Sequence, residues 1–288
     1  MSKARTRSFN PVVLTGKTIF LQRIQAAVTD GYRFYILGTV APQKAPGLVM
    51  KFKELYGVHL DKHARYRRKL AGHGNARLYL RLNENLEIDF ALLVAPGLHL
   101  AHETERLADA GVKGMRYREL ELVRVTLQGR SQPGLTWRLS ADTVAMWRER
   151  LHLHTARYNV QELFRDWHSL YRVPGFGGVR RQVGDLVAYW RREWAQLRGQ
   201  DPCPIAYPHN EPNFRRLPGV SKRDDGRYWT SRGFPSASQL PTLFYVRKQS
   251  DVGEDLTKTV KALMAAVRAP VGEEDCAASP DAGVSSKR

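Results

Sequence analysis

The chain has 288 residues, of which 46 are Lys or Arg and 28 are Asp or Glu, and its formal net charge is +18. No apolar run approaches the roughly 18 residues that a membrane helix requires, and the two cysteines, Cys203 and Cys276, are too few for a disulfide framework or a cysteine-based zinc site. We therefore expect a cytoplasmic protein that is neither secreted nor embedded in a membrane.

The N-terminal half of the chain alternates predicted helices and strands. Hydrophobic periodicity predicts helices at 17–29 and around 48–56, and a basic helix follows at 61–70. Strands are predicted at 32–40, 76–82, 86–94, 117–127 and 135–139, with a hairpin turn at 83–85. This pattern predicts an α+β fold whose sheet is largely antiparallel, has about five strands and is flanked by helices.

The second half is predicted to be helical and then irregular. A small bundle is expected from 141 onward, with one helix opening on the capping box Asn159 and Glu162 and a long helix at 178–198. The expected division is a disordered basic lead (1–10), an α+β sheet domain (11–140), a helical domain (141–199), an irregular arm rich in Pro, Arg and aromatic residues (200–250), a C-terminal helix (251–269) capped by Asp251, and a disordered tail (270–288).

The excess of positive charge predicts a polyanionic partner, because every phosphate that a protein neutralises releases condensed counterions. Arginine is the commoner of the two basic residues, and its planar guanidinium suits bidentate contacts with phosphate and guanine. Nucleic acid is therefore the favoured partner. An acidic protein and an anionic membrane surface are the alternatives that charge alone leaves open.

Arginines of the long helix form one candidate binding surface. At 100° per residue, Arg180, Arg191 and Arg198 fall on one line and Arg181 and Arg192 lie about 100° further round. The five span about 27 Å at 1.5 Å per residue, opposite the apolar stripe. Such a face is suited to following a phosphate backbone, and the alternative is an ordinary solvated helix face.

Two further basic groups add to this surface. The basic helix carries five cations, namely Lys62, Arg65, Arg67, Arg68 and Lys69. The arm carries Arg215, Arg216, Lys222, Arg223, Arg227 and Arg232, with Phe214, Tyr228, Trp229 and Phe234 interleaved. Alternating aromatic and basic residues are typical of proteins that stack bases and hold phosphates of single strands. The alternative is that the aromatic residues attach an irregular arm to the body.

Acidic residues on the predicted strands allow a second class of function. Glu87 and Asp89 share one strand face, and Glu119 and Glu121 share another, so the four carboxylates could converge on a divalent metal as in a nuclease. Arg77 and Arg81 are expected on the same face. Cross-strand ion pairs that need no metal are therefore the favoured interpretation.

Two short motifs resemble known catalytic patterns. His152 and His154, followed by Tyr158, resemble the histidine pair of rolling-circle and relaxase endonucleases, which lies on a strand. On the helix predicted here the two rings would point about 200° apart. Gly16–Thr18 resembles the end of a phosphate-binding P-loop, but Pro11 stands where that loop needs glycine, so a helix start is favoured.

The sequence thus predicts a nucleic-acid-binding protein that has no cofactor and no metal, with DNA somewhat favoured over RNA. An accessory role in the maintenance, transfer or defence of a bacterial plasmid or mobile element would suit such a protein. In that role the protein would have protein partners in a larger complex. One alternative is a nuclease, either dependent on metal at the sheet carboxylates or a metal-free RNA endonuclease. The other is a basic scaffold that docks an acidic protein.

Overall fold

A computed structural model describes residues 9–126, 133–201 and 253–268, together with the backbone of three short strands at 208–209, 220–222 and 228–230. The described helices are α1 (Lys17–Thr29), α2 (Ala45–Tyr56), α3 (Lys62–Leu70), α4 (Ala101–Thr104), α5 (Ala141–Ala156), α6 (Val160–Leu170), α7 (Gly177–Arg198) and α8 (Leu256–Arg268). The described strands are β1 (Val12–Leu14), β2 (Phe34–Val40), β3 (Ala76–Leu82), β4 (Ile88–Val94), β5 (Ala108–Asp109), β6 (Met115–Tyr117), β7 (Leu120–Val125), β8 (Gly134–Leu139), β9 (Pro208–His209), β10 (Val220–Lys222), β11 (Tyr228–Thr230) and β12 (Gly253–Asp255).

The largest sheet has six strands in the order β12-β1-β3-β4-β2-β5. Strands β1 and β3 run parallel, and the other neighbours are antiparallel. The predicted hairpin is confirmed, because β3 pairs with β4 in a continuous register from Ala76 opposite Val94 to Leu82 opposite Ile88. The predicted α+β class is likewise confirmed.

Both faces of this sheet are covered, as the alternation of its side chains requires. On β4, Leu92 and Val94 pack in a cluster with Phe52 and Tyr56 of α2. The intervening residue Leu93 packs in a different cluster on the opposite face, with residues of α1. A two-residue period on one strand therefore produces two separate hydrophobic layers.

The predicted strands divide between two sheets, because β7 pairs with β6 and β8 and forms a three-stranded antiparallel sheet of its own. Trp137 of β8 is fully buried and donates from Nε1 to the Leu21 carbonyl of α1 at 3.0 Å. One hydrophobic cluster joins α1, this small sheet and helices α5–α7. The predicted division into domains stays a prediction.

The helical boundaries follow their caps and apolar stripes. Asn159 accepts from the Glu162 amide at 3.2 Å and begins α6, which confirms the predicted cap. On α7 the predicted stripe is buried, with Trp190 and Trp194 at its centre, except that Leu197 is 40% exposed. The predicted cap Asp251 lies outside the described residues.

None of the helices in the described part of the chain combines the length and apolar character needed to span a membrane.

Candidate nucleic-acid interface

Helix α3 has no buried residue. Tyr66 is 63% exposed and Leu70 is 70% exposed, and five of its nine residues are the cations predicted as ligands of nucleic acid. Most helices are held by an apolar face that packs on a core. Since α3 lacks one, its position must depend on its ends and on polar contacts.

Both ends of α3 are fixed by backbone geometry. The Asp61 carboxylate accepts from the Ala64 amide at 2.7 Å, and this bond lowers the pKa of Asp61. At the C-terminus, Gly72 has a φ of +77°, and the His73 amide donates to the Arg68 carbonyl at 3.0 Å. These bonds satisfy terminal backbone groups that would otherwise lack partners.

A close approach of two loops then connects α3 to the sheet. The Leu98 amide donates to the Gly72 carbonyl at 3.2 Å, and the Gly74 amide donates to the Leu98 carbonyl at 3.0 Å. Gly97 lies at this close approach and has a φ of +115°. A β-carbon at Gly97 would lie only 2.7 Å from the Gly72 carbonyl oxygen. Glycine is therefore required at position 97 by both conformation and space.

Gly97→Ala is expected to lower the free energy of unfolding by about 2 to 3 kcal/mol, because backbone strain adds to a steric clash. Gly31→Ala is the matched control, since Gly31 also has a positive φ, +97°, but a β-carbon added there would meet no other atom within 4 Å. The control should lose only about 1 kcal/mol. Urea denaturation measures both values, and equal losses would show that the loops separate without cost.

A groove runs beneath α3, bounded by the turn after α1, the start of β3 and the end of β4. We call it the α3 groove and define it by the residues that carry its chemistry, namely Lys62, Arg65, Tyr66, Lys69, Asn75 and Arg77. Its volume of about 720 Å³ falls within the range of about 300 to 1,000 Å³ typical of ligand sites.

The electrostatics of the α3 groove are one-sided. Within the described part of the chain, no carboxylate lies within 4.0 Å of any of the five α3 cations. The groove contains one acid, Asp30, and it already binds Arg77 at 2.9 Å. Burial of Arg77 opposes its charge, but the nearby Tyr79, Tyr32 and Asp30 together outweigh it and raise the pKa of Arg77. Arg77 therefore stays charged at every relevant pH.

Two polar atoms at the groove have no partner among the described residues. Asn75 is 5% exposed, and its amide nitrogen donates to the Arg65 carbonyl at 3.0 Å, whereas its Oδ1 atom accepts no bond. Arg77 places its Cζ 4.3 Å from the centre of the Tyr32 ring, and its Nε atom is also unpartnered. Both atoms are shielded from solvent, so a ligand would reach them only if the Asn75 or Arg77 side chain moved.

The long-helix surface is smaller than predicted. Arg198 donates to the Thr155 carbonyl at 2.8 Å and also to the Ala156 carbonyl, at the C-terminal end of α5. Arg180 is half-buried and donates to the Gly175 carbonyl at 3.0 Å, and this burial lowers the pKa of its guanidinium. Helical projection placed both on a solvent face and was wrong, because it takes no account of neighbouring carbonyls. Arg181, Arg191 and Arg192 are exposed as predicted.

The predicted basic arm lies almost wholly outside the described residues, among them Arg215, Arg216, Arg223, Arg227 and Arg232. Trp229 belongs to strand β11, but its side chain also lies outside the described part. The contribution of the arm to binding stays a prediction.

The sheet carboxylates do not converge on a common point. Asp89 pairs with Arg81, as predicted for the hairpin, whereas Glu119 pairs with Lys17 and Glu121 pairs with Arg138. The alternative of a metal site shared by the four is wrong, because Asp89, Glu119 and Glu121 each pair with a different cation. No group of three or more potential metal ligands occurs among the described residues.

The buried Asp89 instead connects the two sheets, and we call this cluster the Asp89 latch, formed by Arg81, Glu84, Asp89, Tyr117 and Arg118. Asp89 is 2% exposed. Arg81 and Arg118 each donate to its Oδ2 atom at 3.2 Å. Tyr117 of β6 donates to the same oxygen, and burial together with this carboxylate raises the pKa of Tyr117.

Glu84 completes the latch at the hairpin turn. Burial opposes its ionisation, but its own backbone amide and the guanidinium groups of Arg118 and Arg81 outweigh this and lower the pKa of Glu84 to about 2. Glu84 therefore stays ionised throughout the neutral range. The cations of this cluster, Arg81 and Arg118, are paired with acidic side chains, unlike the cations of α3.

The two histidines of the endonuclease-like motif have separate partners. They lie on helix α5, as expected, with His152 bound to Glu193 and His154 bound to the fully buried Asp166 at 2.7 Å. Arg150 also binds Asp166. The pair therefore does not form a common metal site. Lys17 begins α1, as predicted for the P-loop-like segment.

Sequence reasoning found the α3 cations but missed the other groove residues. Arg77 was predicted only as an ion-pair partner of the sheet carboxylates, whereas it binds Asp30. Asn75 follows a glycine-rich turn and belongs to no recognisable pattern. The available signal was the lack of any apolar face on the helix at 61–70. Comparisons with protein-family models, with curated proteins and with solved structures found no match for this chain.

Proposed function

We propose that this protein binds nucleic acid, with the α3 groove as its principal contact surface. The observation that carries the proposal is a helix with five cations, no buried side chain and, among the described residues, no acidic partner. The exposed Arg181, Arg191 and Arg192 of α7, together with the arm, would provide a second surface.

The arrangement of charges on α3 favours this function over an ordinary solvated helix. Arg67, Arg68 and Lys69 lie in the last turn, where cations complement the helix dipole. Lys62 in the first turn does not, and Arg65 lies three residues from Lys62 and four from Lys69, spacings at which like charges repel. A bound polyanion would relieve this repulsion.

Titration with labelled single-stranded DNA, duplex DNA and RNA at several salt concentrations tests the proposal. If the five α3 cations each neutralise one phosphate of a single strand, the slope of log affinity against log salt is expected to be about −3 to −4. Fluorescence anisotropy provides the affinities. Gel analysis of the same samples reports strand length, so cleavage would favour the nuclease alternative.

Failure to bind any of the three polymers at low salt would contradict the proposal. Binding whose affinity does not change with salt would also contradict it, because phosphate neutralisation requires counterion release. A scaffold that docks an acidic protein would give the first of these results.

A further inference from the structure

We infer that the α3 groove takes an unpaired base of a single strand, and not only its phosphates. This inference rests on the proposed function and specifies its ligand. Three features of the groove carry it, namely an exposed aromatic ring, a buried acceptor and a buried donor that both lack partners among the described residues, and a wall of cations.

The aromatic feature is Tyr66, which is 63% exposed on α3 between Arg65 and Arg67. A tyrosine whose surface is mostly exposed contributes little to folding, but its aromatic ring offers a stacking platform. Every base has a flat face, so stacking on aromatic side chains recognises unpaired bases without requiring a particular sequence.

The polar feature is the combination of Asn75 and Arg77. Their unpartnered atoms are Oδ1, which accepts, and Nε, which donates. The two residues are separated by one position on the chain, the spacing that places side chains on the same side of an extended segment. The hydrogen-bonding edge of a base presents donors and acceptors, and this edge is available only when the base is unpaired. Both protein atoms are covered in this structure, so the two side chains would have to shift to meet such an edge.

The cationic feature supplies the phosphate contacts. Lys62, Arg65 and Lys69 all line the groove, and they lie on the helix that also carries Tyr66. A strand whose base enters the groove would therefore keep its adjacent phosphates beside α3. A duplex would offer phosphates but no free base edge, so single strands are the preferred form.

Oligonucleotides that differ only in their bases test this inference on the full-length chain. A single strand with bases is compared with an abasic strand of equal length and charge, with the corresponding duplex and with a free nucleoside monophosphate. The strand with bases is expected to bind about tenfold more tightly than the abasic strand, as stacking of one base predicts.

Substitutions at Tyr66 test whether the preference for the strand with bases over the abasic strand arises in the α3 groove. Tyr66→Ala should reduce the tenfold preference to about one, and Tyr66→Phe should retain it. Leu70→Ala, which removes another exposed apolar side chain of α3, is the control and should change neither value. Asn75→Ala should also reduce the preference, with circular dichroism checking that the helix persists.

The outcomes separate this inference from the proposed function. Equal affinity for the strand with bases and the abasic strand would overturn the base site while leaving phosphate binding intact, and binding of neither strand would overturn both. Preference for the duplex would also overturn the inference. Competition by the monophosphate as strong as that of the strand would assign the groove to free nucleotides instead.

Discussion

Simultaneous charge reversal of Lys62, Arg65 and Lys69 to glutamate is expected to lower the affinity for single-stranded nucleic acid at least about a hundredfold. A hydrogen bond to a charged group contributes about 1.5 to 3 kcal/mol, so three lost contacts exceed the roughly 2.8 kcal/mol that a hundredfold change requires. The salt slope should also become shallower by about 2, because three fewer phosphates are neutralised.

Folding should survive this change, because α3 has no buried residue. Reversal of Arg106, Arg124 and Arg172 is the matched control, since all three are exposed, lie outside the groove and change the net charge equally. Reversal of Arg181, Arg191 and Arg192 tests the α7 surface. If the control triple weakened binding as much as the α3 triple, general charge and not the groove would explain the affinity.

Asp89→Asn is expected to lower the free energy of unfolding by about 3 to 5 kcal/mol, the usual result of breaking a buried ion pair. Thr39 and Asn83 donate to its Oδ1 atom at 2.9 and 3.0 Å, and Arg81 and Arg118 donate to Oδ2. The amide would replace one acceptor oxygen by a donor. The side chain of Arg81 is only 4% exposed, so its buried charge would lose the ionised Asp89 as a partner.

Glu121→Gln is the control for this substitution, because it makes the same chemical change in an ion pair between neighbouring strands. The Glu121 side chain is 28% exposed and that of its partner Arg138 is 44% exposed, so its loss should cost at most about 1 kcal/mol. Guanidinium denaturation followed by tryptophan fluorescence measures both. Comparable losses at the two positions would mean that water already reaches the Asp89 latch.

Local patterns in the sequence predicted most elements of this fold. The period of two along 76–82 predicted β3 to the residue, and the apolar stripe of α7 predicted its buried tryptophans. Both signals are carried by neighbouring residues. The pairing of Val12–Leu14 with Gly253–Asp255 was not predicted, because the partners are separated by most of the chain.

The candidate site was predicted only in part, because some of its residues come from distant parts of the chain. The charge of α3 is visible in the sequence, but the groove beneath it depends on β3, β4 and the turn after α1 meeting in space. For Arg198 the sequence predicted a solvent-exposed binding residue, whereas in the structure its guanidinium donates to carbonyl groups at the end of α5. A helical projection can place a side chain on a face but cannot identify what packs there.

The pairing of β12 with β1 has a consequence for biosynthesis. Strand β1 is among the first described residues to leave the ribosome, yet its outer neighbour is not translated until residue 255. Until then the outer edge of β1 presents unpaired amide and carbonyl groups, a form of edge that promotes association between chains. Completion of the large sheet must therefore wait for the synthesis of β12, and a nascent or truncated chain that ends before β12 would expose an edge prone to association.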